Sequence, residues 1–149
     1  MNLVAEAGPG LTGLEQLRAL MEGGFKAPIA ETLRFRLIEV EEGRVVFEGV
    51  PGLHAYNPIG TIHGGYAATL LDSACGCAVH SRLSATQGYT TLELKVAYHR
   101  AMTKDTGPVR AEGRTLSFGR RAGFAEASLT DAAGKLYATA TSTLLVFER

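Results

Sequence analysis

The chain has 149 residues, one domain's worth, and 46% of them are hydrophobic, ample for a packed core. Lys plus Arg is 15 and Asp plus Glu is 15, so the formal net charge is zero. That balance argues against general nucleic-acid binding, which needs a basic face, but leaves room for a local cationic patch against a phosphate-bearing ligand.

At the N-terminus no cationic start precedes an apolar run, so residues 1–10 do not read as a signal peptide and look loosely ordered. Thr12-Gly13-Leu14-Glu15 fits a capping box. Leu14, Leu17, Leu20 and Met21 then form an apolar stripe at helical spacing, ended by Gly23-Gly24. Residues 1–24 thus read as an extension carrying a short docking helix. Ala27 to Leu33 fits a single helical turn with Pro28 at its first position. Arg34 to Glu41 and Arg44 to Val50 read as two strands joined by a Glu42-Gly43 hairpin, with Phe35 and Leu37 on one face.

Asn57-Pro58-Ile59-Gly60-Thr61-Ile62-His63-Gly64-Gly65 reads as a loop rich in turn formers. Tyr66 to Arg82 reads as a helix, apolar nearly all round and therefore buried, yet too short and too polar for a membrane span. Leu83 to Gly88 is a loop. In the strand from Tyr89 to Ala101, Leu92, Leu94, Val96 and Tyr98 alternate with Thr91, Glu93, Lys95 and His99, which predicts one buried face. Three more strands follow: Pro108 to Leu116, Arg120 to Thr130 and Leu136 to Phe147. A break at Ser117-Phe118-Gly119 and a hairpin at residues 131–135 separate them. Two strands, one long apolar helix and four strands make an α+β domain whose sheet is largely antiparallel. Such a helix is covered only if the sheet curls.

Two features of the central stretch do not fit a purely structural helix. Gly64-Gly65 leaves a bare helix N-terminus, whose first amides have no internal partner and suit a carbonyl oxygen that becomes an oxyanion. Asp72 is the only charged residue between His63 and His80, and a carboxylate on a buried helix is costly unless paired or functional. Asp72 lies eight residues after Gly64, about 12 Å along the axis. One copy of the helix cannot bring both to one reacting atom; two antiparallel copies can. Cys75 and Cys77 point in different directions on the helix and have no metal-finger spacing. They read as small thiols of a reducing compartment, and the protein as cytoplasmic.

The run Asn57-x-x-Gly60-x-x-His63-Gly64-Gly65, followed by Asp72, resembles the PaaI-like (phenylacetate-degradation) acyl-CoA thioesterases of the hotdog fold, over about residues 29–147. The resemblance implies one hotdog domain over residues 1–149, a curved antiparallel sheet wrapped round one long central helix. Such proteins assemble as homodimers or dimer-of-dimers tetramers. It implies hydrolysis of an aromatic or medium-chain acyl-CoA to free acid and coenzyme A. Asp72 would be general base or nucleophile, Gly64 would donate its amide to the thioester oxygen, and Asn57 would orient carbonyl or water.

Thr91, rather than the adjacent Thr90, would face the acid. His63 and Gly65 would flank the bound substrate, although the histidine looks mainly structural in this family. Arg120 and Arg121 would contact coenzyme A phosphates, with His99, Arg100 and Lys104 as weaker members of the patch. No metal and no cofactor beyond the coenzyme A of the substrate are implied, and no nucleic-acid or membrane partner. The rival readings are a non-catalytic acyl-CoA-binding or regulatory hotdog domain, and a hydratase of the same fold. The hydratase would want an acid and histidine pair on a short spacing that the helix lacks.

Overall fold

The computed structural model describes residues 1–149. Three helices come first: α1 (Leu3–Glu6), α2 (Gly13–Glu22) and α3 (Pro28–Leu33). The capping box of α2 is present, with the Thr12 side chain accepting from the Glu15 amide and Glu15 reaching back to the Thr12 amide. Strands β1 (Phe35–Glu41) and β2 (Arg44–Gly49) form the first hairpin. The long helix α4 spans Gly64–His80, 17 residues, starting two residues earlier than its composition suggested because glycines take the first turn. Strands β3 (Gln87–Tyr98), β4 (Val109–Phe118), β5 (Ala122–Asp131) and β6 (Leu136–Glu148) complete the chain.

The six strands form one antiparallel sheet in the order β1-β2-β4-β5-β6-β3. It curls round α4. Leu70, Leu71, Ala74, Cys75, Ala78 and Val79 on the helix are fully buried against Val45, Val109, Ala111, Leu129 and Leu144 of the strands. The fit is tight enough to require glycine: a Cβ at Gly113 on β4 would collide with the Ala74 carbonyl oxygen. No helix is long and apolar enough to cross a membrane.

The curl is incomplete, and the helix is not covered all round. Ala68, Thr69, Asp72, Ser73 and Cys77 are only half-buried. They recur at helical spacing and make one stripe. That stripe faces the gap between the two sheet edges, β1 and β3. The N-terminal segment roofs part of the gap. Leu17 of α2 is buried, and the Gly13 amide donates to the Leu83 carbonyl at 2.9 Å. The buried His80 at the end of α4 donates from Nε2 to Gln16 Oε1 at 2.8 Å.

Strand β3 departs from simple alternation. A bulge between Thr91 and Glu93 shifts its register against β6. An extra residue in one strand reverses the facing of everything beyond it. Tyr89 and Thr91 therefore face the helix before the bulge, and Leu94 and Val96 after it. Leu92, which strict alternation places in the buried set, is 60% exposed.

Candidate active site

Asp72 lies two turns into α4, on the open stripe. Thr91 stands opposite on β3, and its hydroxyl donates to Asp72 Oδ1 at 3.1 Å. The pair borders a cavity of about 550 Å³, whose other walls are mostly apolar: Phe35, Leu37 and Phe47 from β1 and β2, Gly76 and Cys77 from α4, Tyr89 from β3. Burial pushes the Cys75 and Cys77 thiols up to about 12, and the negative charge of Asp72 adds to it. Neither thiol is a nucleophile near neutral pH. Both are free. The Tyr89 phenol is raised as well, by burial first.

The N-terminal end of α4 forms a second hollow of about 530 Å³, lined by His63, Gly64, Gly65, Tyr98, His99 and Arg100 among others. His63 is the N-cap. Its Nδ1 accepts the Gly65 amide at 2.8 Å, which occupies that donor. The Tyr66 amide turns back to the His63 carbonyl. The Gly64 amide, at the first helical position, is the one left without an acceptor in this turn. The Tyr98 hydroxyl donates to the Gly64 carbonyl at 2.7 Å and fixes the glycine from the β3 side.

Asn57 is engaged by its own loop. Its Oδ1 accepts the Ile59 and Thr61 amides, both at 3.1 Å, and its Nδ2 donates to Thr61 Oγ1 at 2.9 Å. One amide hydrogen of Asn57 remains. Arg120 and Arg121 are exposed on the β4–β5 hairpin. They lie beside the last turn of α4, where a Cβ at Gly123 would meet the Val79 side chain. Val79 is fifteen residues beyond Gly64, about 22 Å along the axis. Within one chain, therefore, Asp72 and Thr91 come together, and His63, Gly64 and Gly65 come together. The two groups stay apart, and the arginines lie near the C-terminal end of α4, about 10 Å along the axis beyond Asp72.

Sequence reasoning did not identify Tyr98 as the residue that holds Gly64, nor Ser73, Gly76, Cys77 and Tyr89 around Asp72. A signal for the latter was present. Thr69, Asp72 and Ser73 set polar groups at i, i+3 and i+4 in an otherwise apolar helix, which marks a face turned away from the core.

In overall fold the chain is similar to several solved structures. A thioesterase family protein from Silicibacter pomeroyi shares 25% identity at a TM-score of 0.78, over 89% of this chain and 96% of that one. A phenylacetic acid degradation-related protein from Ralstonia eutropha shares 26% at 0.77, over 87% and 98%. A Streptococcus mutans protein solved with bound acetyl-CoA shares 25% at 0.69, over 77% and 90%. No curated protein sequence matches this chain. The pattern of the Thioesterase superfamily matches residues 59–138, which hold Gly64, Asp72 and Thr91 and make up more than half of the chain. The protein is a member of the thioesterase superfamily with the hotdog fold.

Proposed function

We propose that the protein hydrolyses acyl-CoA thioesters in a site shared by two copies of the chain. The observation that carries this reading is the Asp72–Thr91 pair: a half-buried carboxylate, held by one hydroxyl, at the border of an apolar cavity. Family membership gives the reaction class, and the acetyl-CoA in the similar Streptococcus mutans protein supports a coenzyme A ester as ligand.

In this reading a second copy lies beside β3, the long edge strand whose Leu92 and Tyr98 are exposed in the single chain. An antiparallel pairing there covers an open edge. It sets Gly64 of one copy against Asp72 of the other, as a dimer or within a tetramer. The thioester oxygen accepts from the Gly64 amide. Asp72 either takes a proton from water as the water oxygen bonds to the carbonyl carbon, or attacks that carbon itself and is released by water.

The carbon–sulfur bond breaks as the tetrahedral oxyanion collapses. The thiolate leaves and is protonated, giving free acid and coenzyme A. A thiolate is a good leaving group, so no strong general acid is required. One amide donor of this kind is worth roughly a hundred- to a thousand-fold in kcat. Thr91 positions the carboxylate. The exposed Arg120 and Arg121, near the C-terminal end of α4, take the coenzyme A phosphates, for which the guanidinium fork is suited. The acyl group is aromatic or of medium length, because the walls beside Asp72 are apolar and carry two aromatic rings from β1 and β2.

The test is a panel of acyl-CoA esters read by free-thiol release. Turnover on aromatic or medium-chain esters, abolished in Asp72→Asn, supports the assignment. Binding of these esters without thiol release would turn the protein into a non-catalytic acyl-CoA-binding domain.

A further inference from the structure

More than half of the cavity beside Asp72 is built by a part of the chain that lies outside the family match, which begins at residue 59. Leu3 and Val4 of α1, Leu20 of α2, and Phe25 and Ile29 around the start of α3 line it, opposite Asp72, Gly76 and Tyr89. Phe25 is 60% exposed and Ile29 53%, and α1 buries none of its residues. Apolar side chains gathered on one cavity wall and left in contact with water gain when an apolar group enters and removes that area from solvent.

The wall is anchored at one end and open at the other. Leu17 of α2 is 3% exposed, and Gln16 and Gly13 tie α2 to the end of α4. The opposite wall has its own constraint. A Cβ at Gly76 would lie 3.0 Å from the Tyr89 hydroxyl, so the helix is kept bare where the cavity runs past it.

We propose that the N-terminal segment, residues 3–30, is the acyl-selecting wall of the Asp72 site, and that Leu20, Phe25 and Ile29 set how long or broad an acyl group the carboxylate can serve. The ligand class is the apolar end of an acyl thioester, straight-chain or arylalkyl. The proposal rests on the thioesterase reading for its substrate, but the wall is assigned from the geometry of this segment. A bulkier side chain on the wall takes up space that the acyl group would fill, and forcing both in drives neighbours off their rotamers. A single methylene in such a pocket discriminates by roughly ten- to two-hundred-fold.

The experiment measures kcat/KM for acetyl-, octanoyl- and phenylacetyl-CoA in the wild type, Leu20→Trp, Ile29→Trp and Ile29→Ala. Calorimetric binding of octanoyl-CoA and acetyl-CoA runs in parallel. Ile29 is exposed enough that its replacement by Trp leaves the core packing intact, which keeps the test informative if Leu20→Trp folds poorly. In the Trp variants the octanoyl-to-acetyl ratio should fall about ten-fold or more. In Ile29→Ala it should rise.

Ratios unchanged within about two-fold, for turnover and binding alike, would overturn the wall while leaving hydrolysis intact. No thiol release from any ester would end the hydrolase reading. If the Trp variants then still lost octanoyl-CoA binding selectively, the wall assignment would stand on its own.

Discussion

The Thr91 hydroxyl reaches Oδ1 of Asp72 at 3.1 Å because β3 carries a bulge immediately after Thr91. The bulge lets Thr91 and Leu94 share the helix-facing side, so one strand supplies a polar partner to the acid and apolar packing beyond it. Replacing Thr91 by Val keeps the shape and removes the donor. A hydrogen bond to a charged group is worth about 1.5–3 kcal/mol. Thr91→Val should therefore lower kcat by roughly ten- to a hundred-fold with KM little changed, and Thr91→Ser should restore most of it. Equal activity in all three would make Thr91 a packing residue only.

Asn57 poses a different question, since its side chain already closes the 57–61 loop through three hydrogen bonds. Asn57→Asp keeps the oxygen that accepts the Ile59 and Thr61 amides, whereas Asn57→Ala loses every bond. If Asn57 only shapes the loop, the Asp variant should stay near wild-type activity and the Ala variant should fall with a lowered Tm. A role at the substrate through the remaining amide hydrogen predicts loss in both, with normal stability in the Asp variant. Thermal melts beside kcat/KM separate the two.

Much of the fold was legible in the sequence because its signals are local. The Thr12 and Glu15 capping pair, Pro28 at a first helical position, Gly43 in a hairpin and the apolar run from Tyr66 each act within a turn or two. Leu92 was misplaced because a bulge is fixed by pairing with β6, which alternation within one strand does not register. The open stripe on α4 has the same cause. Whether a sheet closes round a helix depends on strand order and curl, and the gap between β1 and β3 is a property of the whole sheet. Asp72 and Gly64 stood out because each breaks a local rule, whereas Thr91 is preferred to Thr90 only through the family's strand pattern. Tyr98 and the N-terminal wall did not stand out, because nothing about an aromatic in a strand or an apolar stripe on a short helix signals a site.

His80 should make stability pH-dependent. Burial, with the charge of Arg149 adding to it, lowers its pKa from 6.5 to about 4. The folded state holds the ring neutral, donating to Gln16. The unfolded chain binds a proton below about pH 6.5 that the folded chain refuses until about pH 4. The stabilisation is thus complete above pH 6.5 and is lost as pH falls toward 4, amounting to about 3 kcal/mol in all. Urea midpoints across this window should drop more steeply for the wild type than for His80→Gln. Parallel slopes would show that other groups dominate the acid limb.

Arg120 and Arg121 are remote from the reacting bond, so any phosphate contact they make is uniform binding. Arg120→Ala with Arg121→Ala should raise KM for acyl-CoA about ten-fold or more, with kcat nearly constant, and should leave a short thioester lacking the nucleotide unaffected. Equal effects on both substrates would show that the arginines act elsewhere.

The shared site makes the most demanding prediction, and proline at position 64 is the means of testing it. Gly64 is the first residue of α4, where proline is well tolerated. His63 before it is extended, at φ −61 and ψ 136, as a residue preceding proline should be. An ideal Cβ at position 64 would lie 3.0 Å from the outer end of Tyr98, a flexible side chain 56% exposed and free to shift. Gly64→Pro should therefore fold while removing the amide donor, lowering kcat roughly a hundred- to a thousand-fold. Asp72→Asn should be nearly dead as well, because an amide neither accepts the proton nor attacks the carbonyl. When equal amounts of the two variants re-assort, about half the dimers are mixed, by the symmetry of a two-fold pair. Each mixed dimer has one doubly damaged site and one site with both native residues, so about a quarter of wild-type activity should return. If mass spectrometry shows the mixed dimer and activity stays at the level of the parents, Gly64 and Asp72 do not meet across an interface.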